Sequence, residues 1–332
     1  MITTILFSKN RPMQADAALH SFFLHCRDAT DTNIHVLYLA TDPRYVRQYE
    51  TLIAAYPGVI FVRQTDFQKD MEFILDPFQK GSYPGNIYAV ICKTGRIRFR
   101  SGSLFEKLRV RTVGRMLRFA VQKLTQSLPT FPYILLLVDD SVFVRDFSLA
   151  DAARALENSP DAIGFSLRLG KNTSYCYVRN CPQALPAFLV LQGGLLKFDW
   201  TVSEYDFGYP LEVSSSVYRA AQLLPLLASF PYSDPNTCER GLSSRCAWFA
   251  KAFPNALCFD SSVAFCNPVN KVQKVAIYNR AAETYQYSPE QLAERFDAGG
   301  RIDVDAFTGF ISNSCHQEVE LQFIEKSQNL SS

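Results

Sequence analysis

Two adjacent carboxylates, Asp139 and Asp140, stand at the end of the apolar run Ile134–Val138, and a second apolar stretch follows at once. A continuous aliphatic run of that length is what a parallel strand covered on both faces looks like. Carboxylates at its end are costly to bury unless they are solvated, paired or bound to a cation. In open α/β sheets the carboxyl ends of the strands are also where ligands bind. The pair therefore marks a candidate metal and phosphate site. The divalent cations Mg²⁺ and Mn²⁺ suit carboxylate oxygens shared with substrate phosphates. The plainer alternative is that one of the two merely caps the turn after the strand.

Three other stretches carry groups suited to anions or sugars. Arg168, in Ser166-Leu-Arg-Leu-Gly170, lies beside a strand end and can meet a phosphate or form an ordinary salt bridge. Cys266–Gln273 concentrates amides, with Asn267 and Asn270 able to hold sugar or phosphate; a simple Asx turn is the other reading. The segment Lys93–Lys123 holds ten basic residues, Lys107 among them, against the single acid Glu106. It reads as a solvated helix face or as an anion-binding face, for a diphosphate or for anionic lipid headgroups at a peripheral membrane contact.

The elements that must position these groups alternate. Thr3–Phe7 is a short β-rich run closed by Ser8-Lys9-Asn10-Arg11-Pro12, and Ala15–Phe23 has helical spacing. Ile34–Ala40 is a second strand, with Asp42 suited to cap the helix across Tyr45–Ala55, and 58–63 is a third strand. After the carboxylates, Leu149–Asn158 reads as a helix, Ala162–Leu169 as a strand and Val217–Leu227 as a helix. A further helix is expected from a cap at Asn236 or Thr237 through Ala250, and a strand over Cys258–Phe265. Strand and helix in alternation imply a parallel sheet with helical crossovers.

A chain of 332 residues with 48% hydrophobic and 20% charged residues can bury a full core. A net charge of +2 argues against a nucleic-acid partner. Nine cysteines without a Cys-x-x-Cys fit neither a zinc module nor a disulfide framework, so reduced thiols and a cytoplasmic setting are expected. The amino terminus does not read as a signal peptide, and no window reaches the ~18–20 apolar residues of a membrane span.

The strand running into Asn10-Arg11-Pro12, with Val138-Asp139-Asp140-Ser141 similar to an Asp-x-Asp element, resembles the GT-A glycosyltransferases, in particular the family-2 type. The resemblance spans roughly Thr3 to Asn270. It implies a Rossmann-like mixed, mostly parallel sheet flanked by helices over residues 1–275, with a helical or loop extension over 276–332 packed on the same domain. Ser8, Asn10, Arg11 and Asp42 would then sit by the nucleotide-sugar donor, Asp139 by ribose or sugar hydroxyls, and Asp140 on the divalent cation. Some GT-A enzymes complete the metal shell with a carboxyl-terminal histidine, a place for His316. Ser141 departs from the pattern, since that third position is usually a carboxylate. An inverting transfer needs a carboxylate base. Glu239, placed in the first turn of its expected helix, leads, and Asp206 follows. The acceptor is expected to be a glycan or a lipid-linked sugar. The competing readings are a non-catalytic carbohydrate-binding scaffold and a sugar nucleotidyltransferase. A glycine-rich loop after the first strand, usual in nucleotidyltransferases, is absent.

Overall fold

The computed structural model describes residues 2–82, 133–271 and 280–325; the basic segment 93–123, with Lys107, lies outside them. β1 (Ile2–Lys9), α1 (Pro12–His25), β2 (Thr32–Leu39), α2 (Pro43–Ala55), β3 (Ile60–Arg63) and α3 (Phe67–Ser82) alternate as expected. β4 (Tyr133–Val138), β5 (Ser141–Phe143), α4 (Leu149–Glu157) and β6 (Ala162–Ser166) follow. The short strands β7 (Tyr175–Cys176), β8 (Cys181–Pro182), β9 (Leu189–Val190) and β10 (Leu196–Asp199) come next. β11 (Ser215–Arg219), α5 (Ala220–Leu227), α6 (Pro235–Ser243), β12 (Asn255–Cys258), β13 (Ala264–Cys266) and α7 (Pro289–Asp297) complete the main elements.

Nine of these strands form one sheet in the order β3-β2-β1-β4-β11-β6-β12-β10-β9. Only β10 and β11 run against the common direction, so the architecture is α/β with a mostly parallel central sheet. Successive side chains of a strand point to opposite faces, and here both faces are buried. Leu6, Leu135 and Leu137 join one apolar cluster with Phe22, Tyr49 and Phe143; Ile5, Phe7, Ile134 and Leu136 join the other with Tyr218 and Leu224. This is why β4 reads as an unbroken aliphatic run. Each such side chain contributes roughly 1.5–3 kcal/mol by leaving water.

Three expectations need correction. Val217–Leu227 is not one helix: β11 fills Ser215–Arg219, wedged antiparallel between β4 and β6. A strand buried on both faces has no alternation to distinguish it from helix, and its β-branched and aromatic residues were the better guide. The helix after Ser233 is capped by Asp234, whose side chain accepts from Thr237 N at 2.9 Å, and it ends at Ser243. Cys258–Phe265 divides into β12 and β13, which belong to different sheets. Between them Ser262 N donates to Asn172 Oδ1 at 2.8 Å, a bond that diverts the backbone from the ladder.

The carboxyl-terminal part packs on the same body. α7 lies against α1 and α2, and Gln48 Nε2 donates to Ala293 O at 2.8 Å. The chain then returns to the sheet, where His316 bridges Cys266. Among the described residues no helix is long and apolar enough to cross a membrane.

Candidate active site

The carboxyl ends of β1, β2, β4, β6 and β12 share one edge, since Lys9 pairs with Leu39, Phe7 with Val138, and Cys258 with Ser166. β11 runs the other way and delivers its amino end, with the preceding 212–214, to the same place. A cavity of about 1820 Å³ opens there. Ser8 enters its wall from the end of β1 and Arg11 just after it, Asp139 and Asp140 after β4, and Arg168 after β6. Asp206, Glu239, Asn270 and His316 reach it from four separate later segments. Residues spread over the whole chain thus meet at one mouth.

Asp139 ties β1 to β4. Its Oδ1 accepts from Arg11 Nη1 at 3.0 Å, and its Oδ2 accepts from Ser8 Oγ at 2.9 Å and Lys9 N at 3.3 Å. Ser8 has a single proton and gives it to Asp139, so Tyr49 Oη is the donor in the 2.6 Å bond to Ser8 Oγ. Arg11 Nη2 also donates to Asn270 O at 2.7 Å. Burial pushes the Asp139 carboxyl up, and Asp140 adds to that, while Arg11 opposes it. Asp139 is therefore held by three protein donors at the edge of the cavity. Its neighbour differs: Asp140 is partly exposed and its Oδ1 has no partner.

The Asn-Arg-Pro turn has a conformational cause. Asn10 adopts φ 53°, a left-handed value that asparagine tolerates better than most residues. Its amide exchanges two hydrogen bonds with Thr41, 2.7 and 2.9 Å long. Asn10 thus fixes the turn and does not line the cavity. Pro12 opens α1, where its missing N–H is not needed. Asp42 caps α2 by accepting from Arg44 N at 2.7 Å, and it too stays off the cavity wall. Asn267 is buried and exchanges two bonds with the Val319 backbone, at 2.8 and 2.9 Å. These three expected donor contacts are structural turns and ties.

A second charged group lies deeper. Arg168 donates to Glu212 Oε2 at 3.0 Å, Ser215 Oγ at 2.7 Å, Cys266 Sγ at 3.3 Å and His316 Nε2 at 3.2 Å. Glu212 was not anticipated from the sequence. The one available signal was a lone acid in the apolar stretch Pro210–Val213, which demands a buried partner. Because Arg168 can only donate, His316 Nε2 must accept, and the ring proton sits on Nδ1. Burial and the guanidinium push the imidazole down to about 3, so it is neutral. With Nε2 facing a cation and Nδ1 protonated, His316 is not arranged as a metal ligand.

Glu239 also differs from expectation. With Asp234 as cap, it falls beyond the first turn of α6, where the helix amides no longer favour its charge. Burial, reinforced by Glu212, raises its carboxyl to about 7, against Arg168 and hydrogen bonds from Tyr209 and the Val213 backbone. It keeps part of its surface on the cavity. Asp206 is raised as well, by burial, while Arg168 and the contacts from Gln183 Nε2 at 3.3 Å and Cys176 Sγ at 3.8 Å lower it.

Among the described residues no three His, Cys, Asp or Glu side chains cluster to hold a metal. A protein cage is thus not formed. One carboxylate with a free oxygen does fit a cation whose remaining ligands are phosphates and water, which is how Mg²⁺ is commonly held. Asp140, which lines the cavity and has an unpartnered Oδ1, is the residue that would hold such a cation. The side-chain amide of Asn270, Arg11 Nε and His316 Nδ1 are also buried without partners. Each unsatisfied group costs about 1–3 kcal/mol, so the wall carries polar capacity that the fold does not use.

No protein-family model matches the chain. The bifunctional glycosyltransferase pgtA of Dictyostelium discoideum is 20% identical to it over 232 residues, which is 66% of this chain and 24% of that protein. The chain thus spans about a quarter of the relative that it matches. Among solved structures, TarS of S. aureus aligns at 13% identity with a TM-score of 0.40, over 90% of this chain and 39% of that one. The WbbM bifunctional glycosyltransferase aligns at 13% identity and a TM-score of 0.32, over 74% of this chain and 38% of that one.

Proposed function

We propose that this chain is a glycosyltransferase of GT-A type that moves a sugar from a nucleotide-diphosphate donor onto a hydroxyl of a glycan or lipid-linked acceptor, with inversion. The observation that carries the proposal is Glu239, a carboxyl raised to about 7 on the wall of the cavity that also holds Asp140. A base with that pKa is ionised enough near neutral pH to accept a proton, yet basic enough to remove one. The name of the Dictyostelium relative, together with the Asn-Arg-Pro and Asp-Asp elements, supports the reaction class.

Each residue then has a task. Glu239 takes the acceptor proton as the new glycosidic bond forms. Arg11 and Lys9, at the carboxyl end of β1, place positive charge where the donor diphosphate would gather negative charge. Asp140 would hold Mg²⁺ or Mn²⁺, which when bound neutralises the leaving diphosphate. Asp206 lies on the same wall and serves the acceptor side. The basic segment 93–123 is assigned to anionic lipid, which would keep a cytoplasmic enzyme beside a membrane acceptor.

The test is release of nucleoside diphosphate from a panel of nucleotide sugars, with Mn²⁺ or with chelator. Donor-dependent release that Glu239→Gln abolishes, with donor binding retained in a thermal-shift assay, is the expected result. No donor that either binds or reacts would sink the proposal.

A further inference from the structure

Strands β7 and β8 form an antiparallel hairpin whose turn spans 177–180, closed by Asn180 N donating to Tyr177 O at 3.1 Å. In its register Cys176 stands directly opposite Cys181. Opposed residues of an antiparallel pair have Cα atoms about 4.5–5.5 Å apart and side chains on one face. That separation lies inside the ~4.4–6.8 Å that a disulfide spans. Both thiols are free, and both line the large cavity. They also hold one piece of its wall. Cys176 Sγ is 3.8 Å from Asp206 Oδ1, and the Cys181 thiol is hydrogen-bonded with the Tyr205 hydroxyl.

We propose that Cys176 and Cys181 are a redox-active dithiol that closes to an intrachain disulfide on meeting a small-molecule disulfide such as oxidised glutathione. Cys181 is partly exposed and attacks first; its thiolate forms a mixed disulfide and expels one glutathione thiolate. Cys176 is 2% exposed and resolves the adduct. Its thiolate attacks Cys181 Sγ and expels the second glutathione. The two cysteines lose two protons and two electrons, and the glutathione disulfide is reduced to two thiols. Burial and Asp206 push the Cys176 thiol up to about 11, which keeps it from reacting by itself. Its fixed position across the hairpin makes the second step intramolecular. Closure withdraws both sulfurs from Tyr205 and Asp206, so oxidation reshapes the wall that those residues form.

Arg179 lies between the two cysteines, so trypsin separates them and a disulfide is read as two linked peptides. Wild-type protein treated with oxidised glutathione should give that linked pair by mass spectrometry, two hydrogens lighter than the free peptides and released by dithiothreitol. Phenylarsine oxide, which requires two thiols, should shield both cysteines from alkylation in the wild type and should leave Cys176 unshielded in Cys181→Ser. A stable glutathione adduct on Cys181 with Cys176 still alkylatable would overturn the proposal. So would either sulfur linked to a different cysteine, or no reaction at either. These readouts do not depend on transferase activity, so they stand or fall apart from the proposed function.

Discussion

Replacing Glu239 by glutamine should make the protein more stable at alkaline pH and inactive at every pH. The carboxyl rises from an ordinary 4.5 to about 7, chiefly through burial and secondly through Glu212. A folded-state pKa above the unfolded one means that folding favours the protonated form. The contribution is fully present below pH 4.5 and is lost as the pH rises through about 7. A rise of that size corresponds to at most roughly 3 kcal/mol, since one unit is about 1.4 kcal/mol and the side chain keeps some surface on the cavity. Glutamine is neutral throughout, and its amide oxygen can still accept from Tyr209 and the Val213 backbone. Urea unfolding of both proteins at pH 4 and pH 8 measures the effect. The stability of the variant minus that of the wild type should grow by up to about 3 kcal/mol between those pH values. Titrating groups that do not interact with Glu239 are common to both proteins and drop out of the difference. Under the proposed function, the wild-type transfer rate should climb with an apparent pKa near 7, a limb that the variant lacks. A difference in stability that stays flat with pH, or that shrinks toward pH 8, would refute the burial argument.

Arg168→Met should destabilise the fold by about 3–5 kcal/mol, because it strands the Glu212 charge. The double variant Arg168→Met/Glu212→Gln should recover much of that loss in chemical denaturation, and strict additivity would dissolve the pairing. Gly241→Ala should lower the melting temperature, costing about 1–3 kcal/mol by overpacking. A Cβ there would lie 2.0 Å from a carbon of the buried Phe230 ring, and an unchanged melt would mean that the ring swings aside. Asp140→Asn should leave the denaturation midpoint unchanged or raised, since it removes a like charge beside Asp139, yet it should cut transfer at least tenfold. A variant that unfolds would instead make Asp140 a structural residue.

The strands of the first sixty residues were legible because each is short, β-rich and ended by a polar turn. β4 was legible for a different reason, its unbroken apolar run. β11 was not, since burial on both faces removes the alternation that separates strand from helix. The Arg168–Glu212 pair was invisible because it depends on the β6–β11 register, in which Ser216 meets Ser166. No local pattern encodes a partner 44 residues away. Glu239 lines the cavity, but its electrostatics differ from those expected. One shift of the helix cap, to Asp234, moved it out of the first turn and replaced a dipole that favours charge with burial that opposes it. Cys176 and Cys181 looked unrelated at a spacing of five until the hairpin folded them face to face.

The two carboxylates at the end of β4 divide their work, and the division follows from register. Phe7 pairs with Val138, so the next residues along, Ser8 still within β1 and Asp139 just past β4, are also neighbours. That places the Ser8 hydroxyl, the Lys9 amide and the Arg11 guanidinium around one buried carboxylate and satisfies it. Asp140 comes one residue later, after the strand has ended, and its Oδ1 is buried without a hydrogen-bond partner. Asp139 closes the gap between β1 and β4, which holds Arg11 at the cavity. Asp140 lines the cavity and keeps an oxygen that no protein donor satisfies. A serine at 141 fits this division, because its hydroxyl donates to Ser214 O at 3.0 Å and so turns inward to the amino end of β11. A carboxylate at that buried position would carry a desolvation cost that the serine avoids. The departure from an Asp-x-Asp pattern thus keeps a second charge out of the core, while the unpartnered oxygen of Asp140 remains.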